Sequence, residues 1–381
     1  MANPFHFGQR LPSRAFVNRT AELERLVSNF RRGQSTVVIA PRRWGKTVLV
    51  HEAARRACER DKRLRVVHLD LTAVRDEREF VHQFLTALVN ATESEAERRI
   101  SLVTKFLRGV VPRLKYTVDH ESSVELAIGF EDGEDANQLQ GILDLPERIA
   151  EARDLRIVVA IDEFQEVNAF GEGQMDRILR SKWQHHARAS YCLYGSKYHM
   201  MTELFGSYKR PFYHFGDVIY LQRIAKPEWT AYLVATFRRA GRRLDPDAAD
   251  LLVDTVDAHS HYVQRLAMET YATTGERADL ATVREAYENL VRTYGPLFEQ
   301  LVNPLTQSQL NFLLAIAEGA QELSSERTRR RYRLGSSSNV TKMRRTMRDR
   351  EFVWQAARGE LALLDPVFGE WLKRLMGPRA R

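Results

Sequence analysis

The sequence has only two cysteines in 381 residues, Cys58 and Cys192, and they lie far apart in apolar surroundings. Such a pair argues against a disulfide framework and against a zinc site, so we expect two buried small side chains. No apolar run approaches the roughly 18–20 residues that a membrane span requires. The N-terminal residues lack the apolar core of a signal peptide, and we therefore expect a cytoplasmic protein with no membrane partner.

Internal repeats and low-complexity tracts are also missing, and the composition of 44% hydrophobic and 28% charged residues is that of an ordinary globular chain. The length suggests two or three domains. The net charge of +8 is unevenly distributed, because residues 327–350 carry ten basic side chains against one acid. That segment has a net charge of +9 and the rest of the chain has −1. One C-terminal segment therefore accounts for the basicity and requires a local explanation.

Strand and helix patterns alternate along residues 1–225, which predicts an α/β domain built on a parallel sheet. Apolar runs predict strands at Thr36–Ala40, Leu64–Leu71, Leu155–Phe164, Tyr191–Gly195 and Val218–Leu221. Amphipathic patterns predict helices at Phe16–Phe30, Lys46–Arg60 and Glu77–Thr92. Residues 93–154 are predicted to be an insertion, with a short hairpin around Ser123–Phe130 and one long helix over Asp135–Ala152.

The C-terminal third predicts two further domains. Residues 226–295 have a helical pattern throughout, typical of a small bundle, and Pro296–Pro304 has the composition of a linker. Residues 296–381 then show two helices, a third helix from Ser337, and a pair of apolar runs around Arg358–Glu360. That order of elements predicts a winged helix-turn-helix domain.

The stretch STVVIAPRRWGKT, residues 35–47, is close to the phosphate-loop pattern GxxxxGK[ST]. In that pattern backbone N–H groups surround the phosphates, the lysine reaches the β- and γ-phosphates, and the hydroxyl binds Mg²⁺. Ala40 replaces the first glycine, which would be strained if the position required a positive φ. The alternative is a chance GKT after a strand. The residues expected around a bound nucleotide are Pro41, Arg42, Arg43, Trp44, Gly45, Lys46, Thr47 and Val48. Within this set we expect the Arg42 and Arg43 side chains to face solvent or a partner, and Trp44 to pack.

A second motif strengthens this prediction. The run IVVAIDEFQEV is a hydrophobic strand that ends in Asp162 and Glu163. Beside a phosphate loop, Asp162 would join Thr47 in holding Mg²⁺, and Glu163 would activate the attacking water. The alternative is a surface pair of acids at the end of a strand. A nuclease or an integrase is a weaker hypothesis, because no further acidic cluster accompanies this pair.

The stretches FVNRTAEL, APRRWGKT, LPERIAEARDLRIVVAIDEFQEV, LYGSKYHMMTELF and RPFYHF together resemble the archaeal-type ATPase family, which is related to AAA+ and STAND P-loop ATPases. The resemblance covers nearly the whole chain. It implies an AAA+-like P-loop NTPase core with strand order 5-1-4-3-2, a helical lid and a C-terminal winged helix-turn-helix. It also implies ATP and ADP as ligands with Mg²⁺, and the sequence has no guanine-specific NKxD element.

The same resemblance assigns roles outside the two motifs. Asn18 and Arg19 fall in an FxGR element that lies against the nucleotide, although Asn18 replaces the usual glycine. Ser196 matches the polar sensor position after the fourth strand, with Lys197 as the alternative. Gln165, which follows the two acids, would help to position water.

Two further positions follow from the resemblance. The family's GxP-like turn at the start of a lid helix corresponds to Ala258–Gln264, where Ser260 and Tyr262 replace glycine and proline. Nucleotide contact through His261 and simple packing of His261 therefore remain equal alternatives. Arg210 stands where an arginine finger would stabilise phosphate charge, and it completes a catalytic set with Glu163, Lys46 and Ser196. The alternative is an ordinary surface arginine next to Pro211. An Arg210 that acts in trans requires a nucleotide-dependent oligomer, whereas one that acts in cis, or not at all, is compatible with a monomer.

The basic C-terminal segment predicts a recognition helix that begins after Ser336–Ser338 and enters the major groove of double-stranded DNA. Its apolar positions include Val340, Met343 and Met347. The alternative is a solvated charged helix on a domain that packs against the ATPase. The residues expected to contact nucleic acid are Arg329, Arg330, Arg331, Lys342, Arg344, Arg345 and Arg348.

Two hypotheses for the function remain at this stage. In the first, an ATP-hydrolysing regulator binds DNA through its winged helix. In the second, the protein binds ATP, turns over slowly, and acts as a switch for a protein partner without using DNA.

Overall fold

The computed structural model describes residues 3–5, 19–92, 115–118, 124–127, 135–170, 173–355 and 360–377. By their contacts, the residues divide into two compact units. The sheet unit contains Arg19–Ala40 and Lys46–Leu221, and the helical unit contains Pro41–Gly45 and Gln222–Arg381 together with the N-terminal residues 3–5. Asn18, the tip of the predicted hairpin and much of the predicted insertion lie outside the described residues.

The sheet unit is built around a five-stranded parallel sheet. Its described strands are β1 (Thr36–Ile39), β2 (Leu64–Asp70), β3 (Lys115–Val118), β4 (Val124–Ala127), β5 (Arg156–Asp162), β6 (Ala189–Gly195) and β7 (Asp217–Tyr220). The order in the large sheet is β2-β5-β6-β1-β7, and β3 and β4 form a separate antiparallel hairpin. When the five large-sheet strands are counted along the chain, the order is 2-3-4-1-5, which is the predicted order 5-1-4-3-2 from the opposite edge. The predicted strand order is therefore confirmed.

The three central strands are buried because they are almost wholly apolar. β1 and β6 are buried at every residue, and β5 is buried from Ile157 onward. Both faces of a parallel sheet are covered by crossover helices, which favours such continuous runs. The register pairs Ile39 with Gly195 and Ile161 with Leu193, so the three strands end at one edge of the sheet.

The helices of this unit are α1 (Thr20–Arg32), α2 (Lys46–Arg60), α3 (Glu77–Thr92), α4 (Asp135–Leu143), α5 (Leu145–Ala152), α6 (Met175–Trp183) and α7 (Tyr198–Gly206). The prediction of one long helix over Asp135–Ala152 is wrong, because the helix breaks at Asp144. Pro146 lies in the first turn of α5, where its missing N–H costs nothing, whereas inside a continuous helix its ring would clash with the preceding turn.

The helical unit begins with the predicted lid. Its helices are α8 (Lys226–Arg239), α9 (Pro246–Thr255), α10 (Ser260–Thr273) and α11 (Leu280–Val302), and a short parallel pair joins β8 (Arg243–Leu244) to β9 (Arg277–Ala278). The predicted linker at Pro296–Pro304 is wrong over most of its length, because α11 continues through Pro296. Burial of Phe298 and Val302, and the approach of Trp371 to within 3.6 Å of a Cβ built on Gly295, favour the helix despite the lost hydrogen bond.

The chain ends in the predicted winged helix-turn-helix. Its elements are α12 (Gln307–Ala317), α13 (Glu326–Arg331), α14 (Ser337–Asp349), the antiparallel strands β10 (Val353–Gln355) and β11 (Leu361–Leu363), and α15 (Pro366–Met376). One hydrophobic core runs from the lid into this domain and includes Leu290, Phe298, Leu313, Val340 and Phe368. Among the described helices of both units, none combines the length and the apolar character needed to cross a membrane.

Gly216 is a position at which the fold of the sheet unit can be tested. A Cβ at Gly216 would lie 2.4 Å from the carbonyl oxygen of Ser35, immediately before β1. We expect Gly216→Ala to lower the free energy of unfolding by about 1–3 kcal/mol in urea denaturation, because backbone must move to make room. Gly206→Ala is the control, since its Cβ would meet only the Thr202 methyl group at 3.9 Å. Equal stability of the two variants would contradict the close approach.

Candidate functional site

Ala40 occupies the first glycine position of the phosphate loop without strain. The left-handed residues of the loop are Arg43 at φ 64° and Gly45 at φ 85°, and Ala40 is not among them. Ala40 is fully buried, and its carbonyl oxygen accepts a hydrogen bond of 3.0 Å from the Nζ atom of Lys46. Alanine therefore fits here, because the position does not require the backbone conformation that only glycine adopts easily.

Thr47 and Asp162 meet at the edge of the sheet where β1 and β5 end. The Thr47 hydroxyl donates to Oδ2 of Asp162 at 2.7 Å, and the backbone N–H of Glu163 donates to Oδ1 at 2.8 Å. Burial raises the pKa of Asp162 to about 6, against the opposing effects of these hydrogen bonds and of Lys46. A buried carboxylate beside a hydroxyl suits a small divalent cation, which prefers oxygen ligands.

A three-ligand metal site built from side chains alone does not occur in the described part of the chain. A cation at Thr47 and Asp162 would thus take most of its ligands from water and phosphate. That is the usual arrangement for Mg²⁺, which binds through one or two carboxylates and keeps several waters.

Glu163 is held next to this pair by an unusual backbone and by three hydrogen bonds. Its φ is 51°, in the left-handed region, which turns the side chain away from the direction of β5. Its Oε2 atom accepts from the Ser196 backbone N–H at 3.0 Å, from the Ser196 hydroxyl at 2.9 Å and from Nε2 of Gln165 at 2.6 Å. The structure thus brings together Glu163, Gln165 and Ser196, three residues from two neighbouring strand ends.

Gly195 is a functional residue that sequence reasoning missed. A Cβ at this position would lie 1.9 Å from Oε1 of Gln165, which is itself almost completely buried. Only glycine leaves room for the Gln165 amide to reach Glu163. A glycine at the end of a strand is common, so the sequence alone gave no reason to single it out.

Arg210 and Lys197 engage other acids of the sheet unit. The Arg210 guanidinium pairs with Glu203 in a half-exposed position after α7, and Lys197 pairs with Glu166 at 2.7 Å. Lys197 therefore makes a contact different from that of Ser196, which bonds Glu163 directly. Among the predicted sensor residues, Ser196 is the one that lies against the acid at the strand end.

Arg19 lies at the start of α1, where it is buried and pairs with Glu22 at 3.4 Å. Val48 is part of α2, one turn from the loop, and Arg42 is exposed. Asn18, the other predicted contact of this group, lies outside the described residues.

The loop residues Pro41–Gly45 make their contacts within the helical unit. Trp44 is 3% exposed, and its ring packs edge-on against Trp354 of β10 with 5.2 Å between the centroids. The Arg223 guanidinium lies 5.5 Å from the Trp44 ring centroid. Trp44 packs rather than lying open to a base, and its partner Trp354 was not identifiable from the sequence because the two residues are far apart in the chain.

Two histidines lie at the start of α10: His259 immediately precedes the helix and is buried, and His261 is in its first turn and is half-buried. Burial lowers the pKa of His259 to about 3, and the nearby charges of His261, Arg223 and Arg43 act in the same direction. Burial and Arg43 likewise lower the pKa of His261 to about 3. Both rings are therefore neutral at pH 7, and each is more suited to packing or hydrogen bonding than to pairing with phosphate as a cation.

Tyr262, next to these histidines, joins the lid to the winged helix. Its hydroxyl donates to Oδ2 of Asp365, and Oδ1 of Asp365 accepts from the Phe368 backbone N–H at 2.9 Å. Asp365 thereby caps α15, and burial raises its pKa above the ordinary value. Tyr262 occupies the proline position of the expected GxP-like turn, so this departure from the family pattern has a structural role.

The predicted nucleic-acid residues differ in how far their charges are already paired. Arg329 donates to the backbone carbonyls of Ser324 and Gly335, which fixes the turn after α13. Arg330 pairs with Glu326, Arg331 pairs with Glu318, and both Arg345 and Arg348 lie 3.7–3.8 Å from Asp349. These ion pairs are mostly exposed, so each is worth little and is easily exchanged.

Lys342 and Arg344 make no ion pair or side-chain hydrogen bond within the described part of the chain, and both are exposed on α14. Val340, Met343 and Met347 form the buried face of this helix, and Ser336 caps its start. Lys342 and Arg345 lie on the side opposite to that face, given 100° per residue. The helix therefore presents cations outward, as a recognition helix requires.

Protonation of the lid histidines predicts a pH dependence of stability. An unfolded histidine has a pKa near 6.5 and His259 has one of about 3, so the unfolded state binds more protons between these values. Stability is therefore lost as the pH falls through this window. We expect His259→Phe to reduce the loss between pH 7 and pH 5 by about 2 kcal/mol in chemical denaturation. The control is Tyr271→Phe, which changes a buried aromatic side chain of the lid and leaves both histidines in place. The same pH dependence in both variants would refute the assignment.

Comparison with known proteins supports the fold of the whole chain and that of its winged helix domain. The probable winged helix domain family matches residues 296–374. A search of curated proteins finds no match. Among solved structures, the chain is similar to the Walker-type ATPase PABY2304 of Pyrococcus abyssi, with a TM-score of 0.66 and 15% identity over 97% of this chain and 99% of that one.

Two structures from Aeropyrum pernix are also similar. The ORC2 protein in its ADPNP–ADP complexes matches with a TM-score of 0.53 and 13% identity, covering 97% of this chain and 96% of that one. The ORC1 protein in complex with DNA matches with a TM-score of 0.50 and 14% identity, covering 98% of both chains. At these identities the similarity establishes the fold. The chain has the fold of an AAA+-like Walker-type P-loop ATPase that ends in a winged helix domain.

Proposed function

We propose that this protein is a Mg²⁺-dependent ATPase whose winged helix binds double-stranded DNA. The observation that carries the proposal is the contact of 2.7 Å between Thr47 and Asp162, with Glu163 next in the chain. It joins the end of the phosphate loop to the end of the acidic strand, which are the two halves of a nucleotide-hydrolysing site. The solved relatives with bound ADP or ADPNP support the choice of an adenine nucleotide.

The binding roles follow from the atoms available. The backbone of Arg42, Arg43, Trp44 and Gly45 would surround the phosphates, together with the start of α2. Lys46 would exchange its bond with the Ala40 carbonyl for the β- and γ-phosphates. Thr47 and Asp162 would hold Mg²⁺, which neutralises phosphate charge when it is bound.

Glu163 is the proposed general base. All three of its hydrogen bonds in the described region use Oε2, so Oε1 is the atom that remains to accept a proton from water. Gln165 and Ser196 fix the direction of this carboxylate. They are positioning residues, because they act through Glu163, and Ser196 would also lie near the γ-phosphate.

Arg210 is proposed as an arginine finger that acts across a nucleotide-dependent oligomer. Its guanidinium is 40% exposed and its partner Glu203 is 57% exposed. An ion pair of this kind contributes little stability, so the guanidinium is able to leave it for a phosphate. An Arg210 that acts in cis, or that stays paired with Glu203, would need no oligomer.

Removal of the base gives the first test of the proposal. We expect Glu163→Gln to lower ATP turnover at least about 100-fold, which is the usual contribution of a general base. Binding of ATP measured by fluorescence titration should persist, because Glu163 is assigned no contact with the ground state. Glu151→Gln, which removes an exposed carboxylate from α5, is the charge-matched control. Unchanged turnover in Glu163→Gln would eliminate Glu163 as the base.

The DNA assignment is tested through the salt dependence of affinity. The variant Lys342→Gln/Arg345→Gln removes two outward cations from α14. We expect it to weaken binding of duplex DNA and to reduce the slope of log K against log salt by about 2, because each lost phosphate contact removes about one released counterion. The control variant is Arg238→Gln/Arg292→Gln, which removes the same charge from exposed positions on α8 and α11. We expect it to bind DNA as the wild type does.

If both double variants bind DNA equally, the winged helix does not use this face. If the wild type shows no salt-dependent DNA binding at all, the alternative of an ATP-bound switch for a protein partner is favoured. The several ion pairs among the basic residues of α13 and α14 are compatible with that alternative.

A further inference from the structure

The winged helix contains a cavity whose lining includes none of the proposed nucleotide-site residues and, among the predicted nucleic-acid residues, Arg331 alone. It has a volume of about 430 Å³ and lies between α12, the end of α13 and the end of α15. Leu310 and Leu314 of α12 line one side, and Leu375 and Met376 of α15 line another. Leu375 is 50% exposed, so apolar surface is open to solvent at the mouth. Ligand pockets in proteins occupy about 300–1,000 Å³, and the volume of this cavity falls within that range.

The polar part of the lining consists of Gln307, Asn311, Arg331, Tyr332 and Arg333, and its two arginines carry positive charge. Arg333 is exposed and makes no ion pair or side-chain hydrogen bond in the described part of the chain. Its φ of 52° places it in the left-handed region immediately after α13. Asn311 also lines the cavity and accepts a hydrogen bond of 3.0 Å from Gln307, which leaves its amide N–H groups directed elsewhere.

The second arginine of the lining is already engaged. Arg331 donates to Oε2 of Glu318 at 3.2 Å, and the Tyr332 hydroxyl donates to the same atom at 2.7 Å. Glu318 therefore offsets Arg331, and Arg333 supplies the uncompensated charge. A guanidinium beside an amide donor is suited to a planar oxyanion such as a carboxylate.

We propose that this cavity binds a small organic anion that has one carboxylate or a similar head and a compact apolar body. The head would lie between Arg333 and Asn311, and the body would contact the leucines and Met376. The chain's own C-terminal residues, Pro378–Arg381, add two further arginines, so their charge disfavours them as the occupant. The cavity is also too small for a folded segment of a partner, which would need a longer groove.

The experiment uses the full chain without nucleotide or DNA. The fluorescent anion 1-anilinonaphthalene-8-sulfonate is bound and then displaced by octanoate, by octanol or by octylammonium. We expect octanoate to displace the dye at a concentration at least about tenfold lower than octanol, because a charged hydrogen bond is worth about 1.4 kcal/mol or more. Octylammonium should be the weakest competitor.

Variants locate the binding. Arg333→Asn keeps a residue that tolerates a positive φ while it removes the charge, and it should weaken octanoate about tenfold while leaving octanol unchanged. Arg350→Asn removes an exposed arginine that does not line the cavity and should behave as the wild type. Asn311→Phe fills the cavity from its rim and should abolish displaceable dye binding. Leu375→Ala, at a half-exposed position, should weaken octanol and octanoate alike.

Two results would overturn the proposal. If Arg333→Asn binds octanoate as tightly as Arg350→Asn does, the cavity does not select an anion. If the dye is still displaced from folded Asn311→Phe and Leu375→Ala at wild-type concentrations, the ligand lies elsewhere. Thermal unfolding of each variant shows that it is folded. Because these variants alter neither Glu163 nor the outward face of α14, failure here is distinct from failure of the proposed ATPase or DNA binding.

Discussion

The alignment of three parallel strand ends is the constraint on which the rest of the site depends. β1, β5 and β6 finish at one edge of the sheet, and each is followed by a polar group: the phosphate loop, the pair Asp162–Glu163 and Ser196. The contact of Thr47 with Asp162 at 2.7 Å and that of Ser196 with Glu163 at 2.9 Å both follow from this alignment. A shift of β5 by one residue would separate both pairs, and it would also turn buried side chains toward the wrong face.

The residues of the site are carried by buried strands, and two of its positions, Glu163 and Gly195, have special backbone requirements. The central strands are fully buried, so they cannot adjust to the loops that they carry. The left-handed backbone at Glu163 and the absence of a side chain at Gly195 then bring the carboxylate, the Gln165 amide and the Ser196 hydroxyl together. Residues in sparsely populated backbone regions persist where their surroundings hold them, and they concentrate at functional sites.

Sequence reasoning predicted the parts of this arrangement that depend on local pattern. The strands, the phosphate loop, Asp162, Glu163 and the winged helix were predicted from apolar runs and short motifs, which report on neighbours in the chain. The strand order followed from the family resemblance instead. Sequence reasoning failed where a distant contact decides the outcome. The packing of Trp44 against Trp354 and the hydrogen bond of Tyr262 to Asp365 join residues far apart in sequence. Pro296 was interpreted as a break because its intrinsic preference is local, whereas Trp371 and the buried Phe298 stabilise the helix there.

The continuity of α11 has a mechanical consequence. The helix extends from the lid past Gly295 and Pro296, and the lid contacts the winged helix at two further points: Glu288 pairs with Arg374, and Tyr262 binds Asp365. We therefore expect the lid and the winged helix to move together as one rigid body. A rotation of the lid would therefore turn α14 by the same angle, so the direction in which Lys342 and Arg345 point is set by the lid rather than by the winged helix itself.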